Sequence, residues 1–89
     1  MSDIVVTKPS EQTLKEMAVE SWPIWTCEKS TFDWHYDQKE TCYLLAGDVT
    51  IKAGSEEVRF GSGDMVVFPE GLECVWQVNA PVKKHYKFG

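Results

Sequence analysis

The residues with the most chemical promise in this chain fall in two short stretches. Between Trp34 and Leu44, period-two counting puts Trp34, Tyr36, Glu40, Cys42 and Leu44 on one side of extended backbone, provided that the Asp37-Gln38-Lys39 turn keeps parity. A carboxylate then shares a face with aromatic and apolar side chains. The same counting puts Cys74, Trp76 and Val78 together on a later strand. A carboxylate taken out of water must be ligated, paired or protonated, so Glu40 is the leading candidate for a general acid/base or a metal ligand. Its structural alternative is a bond to Tyr36 or to a backbone amide that only fixes the core. Cys74 could bind a soft metal as thiolate, or attack an electrophile if its pKa were lowered, or pack inertly as buried cysteines often do. Tyr36 completes the catalytic candidates with its hydroxyl. Trp34, Cys42 and Trp76 are the candidate pocket wall, where rings stack on a planar metabolite; the alternative is that they fill the interior.

The other titratable groups are weaker candidates. His35 and His85 are the only histidines, both beside charged neighbours, and both read as outward surface residues rather than ligands. Lys84 shares strand phase with Val82, Tyr86 and Phe88. It could point inward toward Glu40, but the favoured reading places it at the mouth of the fold, reaching water. Cys27, Cys42 and Cys74 form no CxxC pair and cannot all be bridged in one chain, so free thiols are expected. A Cys42–Cys74 bridge would need Cα atoms within about 7 Å and an oxidising compartment.

These side chains need rigid elements to hold them. After Pro9, Ser10 is a plausible cap for a helix over 11–18, with Leu14, Met17 and Ala18 on one face and Glu11 four residues before Lys15. So short a helix must lie against something larger. From Ser21 onward, β-branched and aromatic residues recur between Gly, Pro and Asp punctuation. The pattern predicts about eight strands, over 22–27, 30–36, 41–45, 48–53, 56–60, 65–68, 73–78 and 82–88. Tight turns are predicted at Ala46-Gly47-Asp48, Ala53-Gly54-Ser55, Gly61-Ser62-Gly63-Asp64 and Pro69-Glu70-Gly71. Short strands joined by tight turns imply an all-β barrel or sandwich.

Composition narrows the partners. Eighty-nine residues suit one small domain over 1–89, and 43% apolar content is too high for a disordered chain. Nine Lys and Arg against fourteen Asp and Glu leave a formal net charge of -5, a field that repels phosphate backbones and anionic lipid. No nucleic acid and no membrane partner is expected. No apolar run approaches the roughly 20 residues that span a bilayer, and the first residues lack the basic start and apolar centre of a secretion signal. A cytoplasmic location is the default.

Two segments resemble the paired motifs of the cupin superfamily, a small double-sheet jelly-roll β-barrel. Gly63-Asp64-Met65-Val66-Val67-Phe68-Pro69-Glu70-Gly71-Leu72-Glu73-Cys74 resembles G(x)5PxG(x)2H, with Cys74 where the family has histidine and Val78 where it has asparagine. The first motif, HxH(x)3–4E(x)6G, is matched by Glu40 and Gly47 with six residues between them, and Trp34 and Tyr36 stand at the histidine positions. His35 is one residue out of phase, and such an offset turns a strand side chain to the opposite face. The stretches 19–25, 32–37, 40–43 and 84–86 extend the likeness to the small cupins grouped with (S)-ureidoglycine aminohydrolase and the ethanolamine-utilisation cupin. The resemblance implies a cupin barrel with a short N-terminal helix and a possible divalent metal, for which Glu40 and Cys74 would be the ligands left, the usual histidines being absent.

The expected function is therefore that of a small cupin that binds, and could transform, a small polar metabolite in the barrel interior, a nitrogen-containing one being one option. The alternative is a non-catalytic interaction module whose interior is packed core. Edges and apolar faces of a small aromatic-rich β domain also point to a homodimer.

Overall fold

The computed structural model describes residues 4–89. Its strands, in chain order, are β1 (Val5–Thr7), β2 (Ile24–Cys27), β3 (Ser30–His35), β4 (Glu40–Ala53), β5 (Glu56–Gly61), β6 (Met65–Phe68) and β7 (Glu73–Phe88). Between β1 and β2 lie the helix α1 (Glu11–Glu16) and a 3-10 turn at Val19–Ser21. The fold is all-β and antiparallel, as the turn pattern predicts, with little helix.

Two long bent strands organise everything else. β4 and β7 pair along most of their length, from Glu40 opposite Phe88 to Lys52 opposite Val75. Their first and last halves belong to different layers. Glu40–Tyr43 also pairs with β6, which carries β1 beyond it, while the far half of β7 pairs with β2. Past the bend, Asp48–Ala53 pairs with β5 and the near half of β7 pairs with β3. The two layers face each other and share one core, in which Phe60 of β5 meets Phe68 of β6 at 6.0 Å and Phe32 of β3 meets Trp25 of β2 at 6.4 Å between ring centroids.

The bend corrects one expectation. Ala46-Gly47-Asp48 is not a tight turn between two strands but an irregular stretch inside β4, where the register with β7 shifts between Leu44 and Val49. Val78 and Val82 likewise lie on one continuous β7, so the eight expected strands become six, to which β1 adds a seventh that the sequence pattern did not show. Gly47 makes the bend possible. Its φ is +122°, and an added Cβ would lie 2.8 Å from Val82 Cγ2 and 2.9 Å from Val82 Cα, so only glycine lets the crossing strands approach.

The N-terminal segment packs on the outside of this frame. Ser10 caps α1 as expected, its hydroxyl accepting from Thr13 N–H at 3.2 Å, but the helix ends before Ala18, which adopts the left-handed conformation and starts the 3-10 turn. Val19 and Trp22 then bury against Met65 in a second, smaller cluster. The turn before β6 is fixed by Asp64, whose carboxylate accepts from Gly61 N–H and pairs with Lys8 at 2.7 Å. Partial burial works against the charge, but these two donors prevail and hold Asp64 below the usual carboxylate range.

Candidate functional site

The second motif builds the site by gripping the first. In the Pro69-Glu70-Gly71 turn, Gly71 sits at φ +86° and donates its N–H to the Tyr36 carbonyl at 2.7 Å, while Tyr36 N–H donates to the Leu72 carbonyl at 2.9 Å. This double clamp fixes Tyr36 just past β3 and aims its ring inward, where it stacks on Phe68 at 4.9 Å with planes 10° apart. Glu40 opens β4 on the same face, so Tyr36, Glu40, Cys42 and Leu44 are all buried, as period-two counting requires. Cys74, Trp76 and Val78 are buried together on β7.

Glu40 is paired, not free. Tyr36 OH donates to its Oε1 at 2.7 Å, and Lys84 Nζ donates to its Oε2 at 2.8 Å. The indole Trp76 Nε1–H in turn donates to Tyr36 OH at 3.2 Å. The Glu40 and Lys84 side chains are only 4% and 5% exposed, so this is an ion pair taken almost wholly out of water. The placement of Lys84 corrects the expectation that it reaches solvent. It lies opposite Leu44 in the ladder, and its ammonium packs 4.8 Å and 4.4 Å from the ring centroids of Trp25 and Trp76. Burial, followed by the Glu40 charge and its hydrogen bond, raises the Tyr36 pKa, so the phenol stays a neutral donor.

Beside this pair is a cavity of about 200 Å³. Its polar lining comes from Glu40, Lys84 and Tyr36, and its walls are mostly aromatic, with Trp34 and Phe88 both nearly half exposed. Trp34 and Trp76 line it, but Cys42 and Cys74 do not. Cys42 is sealed between the layers, where burial pushes its thiol up to about 12. Cys74 lies opposite Trp34, beneath a separate, shallower depression that includes Asp33 and Lys52, and burial together with the Glu40 charge pushes its thiol up to about 11. Both thiols are protonated at neutral pH, and all three cysteines are unbridged.

The histidines divide. His35 is half exposed, 3.4 Å from Asp37 and 3.6 Å from Glu73 on the outer face. His85 departs from its expected surface position: it is buried, with Nδ1 2.9 Å from the Trp22 carbonyl, and helps to anchor the N-terminal segment to β7.

The match to known proteins follows this architecture. A family model described as the EutQ-like cupin domain matches residues 14–86. The chain belongs to this family. The crystal structure of a DUF861 family protein from Thermotoga maritima superimposes on this EutQ-like cupin with a TM-score of 0.96 at 45% identity, covering 98% of this chain and 100% of that one. The EutQ protein of Clostridium difficile gives 0.69 at 23% identity, over 97% of this chain and 68% of its own. A putative ethanolamine utilization protein Q from Salmonella typhimurium gives 0.68 at 16%, over 96% and 68%, a likeness of fold. No curated protein matches the sequence.

Cupin ancestry raises the question of a metal at Glu40, and the side chains of this EutQ-like cupin do not fit one. Trp34 and Tyr36 stand where ligand histidines would, Glu40 already receives an ammonium and a phenol, and Cys74 is a neutral thiol. Among the described residues no group of three or more His, Cys, Asp or Glu is assembled to hold an ion. The cation facing Glu40 is Lys84. Strand phase marks Glu40, Tyr36, Trp34 and Trp76 in the sequence, whereas nothing there marks Trp25. The sequence signal for Lys84 is its inward phase with Val82, which the usual preference of lysine for water outweighs.

Proposed function

We propose that this EutQ-like cupin binds a small nitrogen-containing metabolite inside the barrel, at a centre made of Glu40, Lys84 and Tyr36 without a metal ion. The observation that carries this reading is that the buried Glu40–Lys84 pair lines a cavity instead of being sealed in hydrocarbon. A cavity of about 150 Å³ suffices to take up benzene, so 200 Å³ suits one substituted ring or a short chain. Glu40 serves as a fixed anion, Lys84 as a fixed cation, and Tyr36 sets the carboxylate in place. The metal-dependent chemistry of the aminohydrolase is not carried over, because only the glutamate of its ligand set is matched.

The test is a titration with indole, followed by NMR at the tryptophan side-chain N–H groups. Saturable shifts at Trp25 and Trp76 are the expected result. Shifts confined to exposed residues would leave the second reading, an interaction module with a packed interior, which draws on the close burial of Tyr36, Phe68 and Trp76. Self-association belongs to the proposal as well: Val5 and Val6 are exposed on β1, the strand at one end of the sheet order, where a second copy could pair. Sedimentation should then show a dimer, and a monomer at all concentrations would remove that part.

A further inference from the structure

The hydrogen-bonding capacity left over at the pair defines what the cavity can hold. Each Glu40 oxygen receives one donor, so the carboxylate retains acceptor capacity on both. Lys84 carries three N–H groups and gives one to Glu40; among the described residues the ammonium otherwise meets only the faces of Trp25 and Trp76. Tyr36 OH is engaged in both directions, donating to Glu40 and accepting from Trp76. The floor of the cavity thus offers one strong donor and one strong acceptor side by side, and the two charges cancel.

A ligand that brings a further charge would leave a net charge in a desolvated, aromatic-walled space, which is unfavourable. A ligand with no polar group would leave the spare donor and acceptor unmet. The walls add a shape requirement. Trp25 is held edge to face by Trp76 and Phe32, at 70° and 66° with ring centroids 5.9 Å and 6.4 Å away, so the walls are rigid and aromatic and favour a flat ring over a flexible chain.

We propose that the ligand is a flat, uncharged ring compound with an amide edge, its carbonyl oxygen accepting from Lys84 Nζ and its N–H donating to Glu40. This inference rests on the reading of the cavity as a ligand site. It names the recognised class as aromatic carboxamides and lactams, and assigns the discrimination to the Glu40–Lys84 pair.

The experiment compares benzamide, benzoate, benzylammonium and toluene by NMR titration of the full chain, followed at the Trp25 and Trp76 indole N–H groups. Benzamide is expected to bind at least about tenfold more tightly than each of the other three, since hydrogen bonds to charged partners are gained and no charge is stranded. Equal or tighter binding of benzoate or benzylammonium would overturn the amide assignment, because one member of the pair would then be reading a charge. Equal binding of toluene would also overturn it while leaving the cavity a ligand site. No response to any of the four would overturn the cavity reading itself. In the double variant Glu40→Leu/Lys84→Met, benzamide should lose its advantage over toluene; if that variant does not fold, the wild-type series decides alone.

Discussion

The two ends of the β4–β7 pair are made by the same strands and filled with opposite materials. Beyond the bend, Val49, Ile51, Phe60 and Val78 close the interior with hydrocarbon, none of them more than 3% exposed. Before it, the same ladder holds Glu40 and Lys84 with a cavity alongside, and Tyr36 and Trp76 reach this pair from the facing layer, Trp76 from the position opposite Ile51. The hydrocarbon end shows that this fold can close an interior without ions. Replacing a buried ion pair by well-packed apolar side chains is often neutral or stabilising, so stability alone does not account for the polar end. On the reading proposed above, the contrast is that of a packed core with a ligand site, and each part of it can be tested.

The largest effect is expected at Lys84. Lys84→Met leaves the Glu40 carboxylate buried without its cation and should lower unfolding free energy by about 3–5 kcal/mol in urea denaturation, whereas Glu40→Leu/Lys84→Met should recover most of the loss. A single variant as stable as wild type would erase the contrast. At the other end, Ile51→Ala should cost about 2–5 kcal/mol by emptying packed volume, with indole still bound as read at Trp25, since Trp76 stands opposite Ile51 in the ladder. Loss of indole binding there would show that the two ends are not independent. Tyr36→Phe should cost about 1–3 kcal/mol, because Glu40 loses a donor and Trp76 N–H an acceptor.

The smallest effect is a matter of pH. The Cys42 thiol is raised from 9.0 to about 12 by burial, so above pH 9 the unfolded chain releases a proton that the folded chain keeps. Its contribution to stability is complete below pH 9 and declines as pH rises toward 12, by at most about 1.4 kcal/mol per pH unit. Cys74, raised to about 11, and Tyr36, whose pKa is also raised, act in the same direction. Denaturation midpoints measured from pH 8 to 11 should fall, and the fall should be shallower in Cys42→Ala; identical slopes would place Cys42 in contact with water.

Much of this arrangement is legible in the sequence because strand faces alternate. Period two puts Tyr36, Glu40, Cys42 and Leu44 on one side, and the glycines and proline of the second motif mark the turn that clamps Tyr36. What periodicity does not carry is pairing across the fold. The continuity of β4 through Gly47 depends on the close approach of Val82, a contact between residues far apart in sequence. The inward turn of Lys84 depends on a carboxylate 44 positions away that makes its burial tolerable. Likewise His85 looks like a surface residue until the Trp22 carbonyl is brought against it. The short β1 carries exposed Val5 and Val6 and becomes a strand only by pairing with β6.

The central claim is that Lys84 is the cation of Glu40 and that the two act as one unit. A double-mutant cycle on Glu40→Gln and Lys84→Met, measured by urea denaturation in the presence of a chelator, tests it most directly. A favourable coupling of at least about 1.5 kcal/mol is expected, in the range of close buried charge pairs. Coupling near zero, or wild-type stability that collapses when the chelator is added, would contradict it.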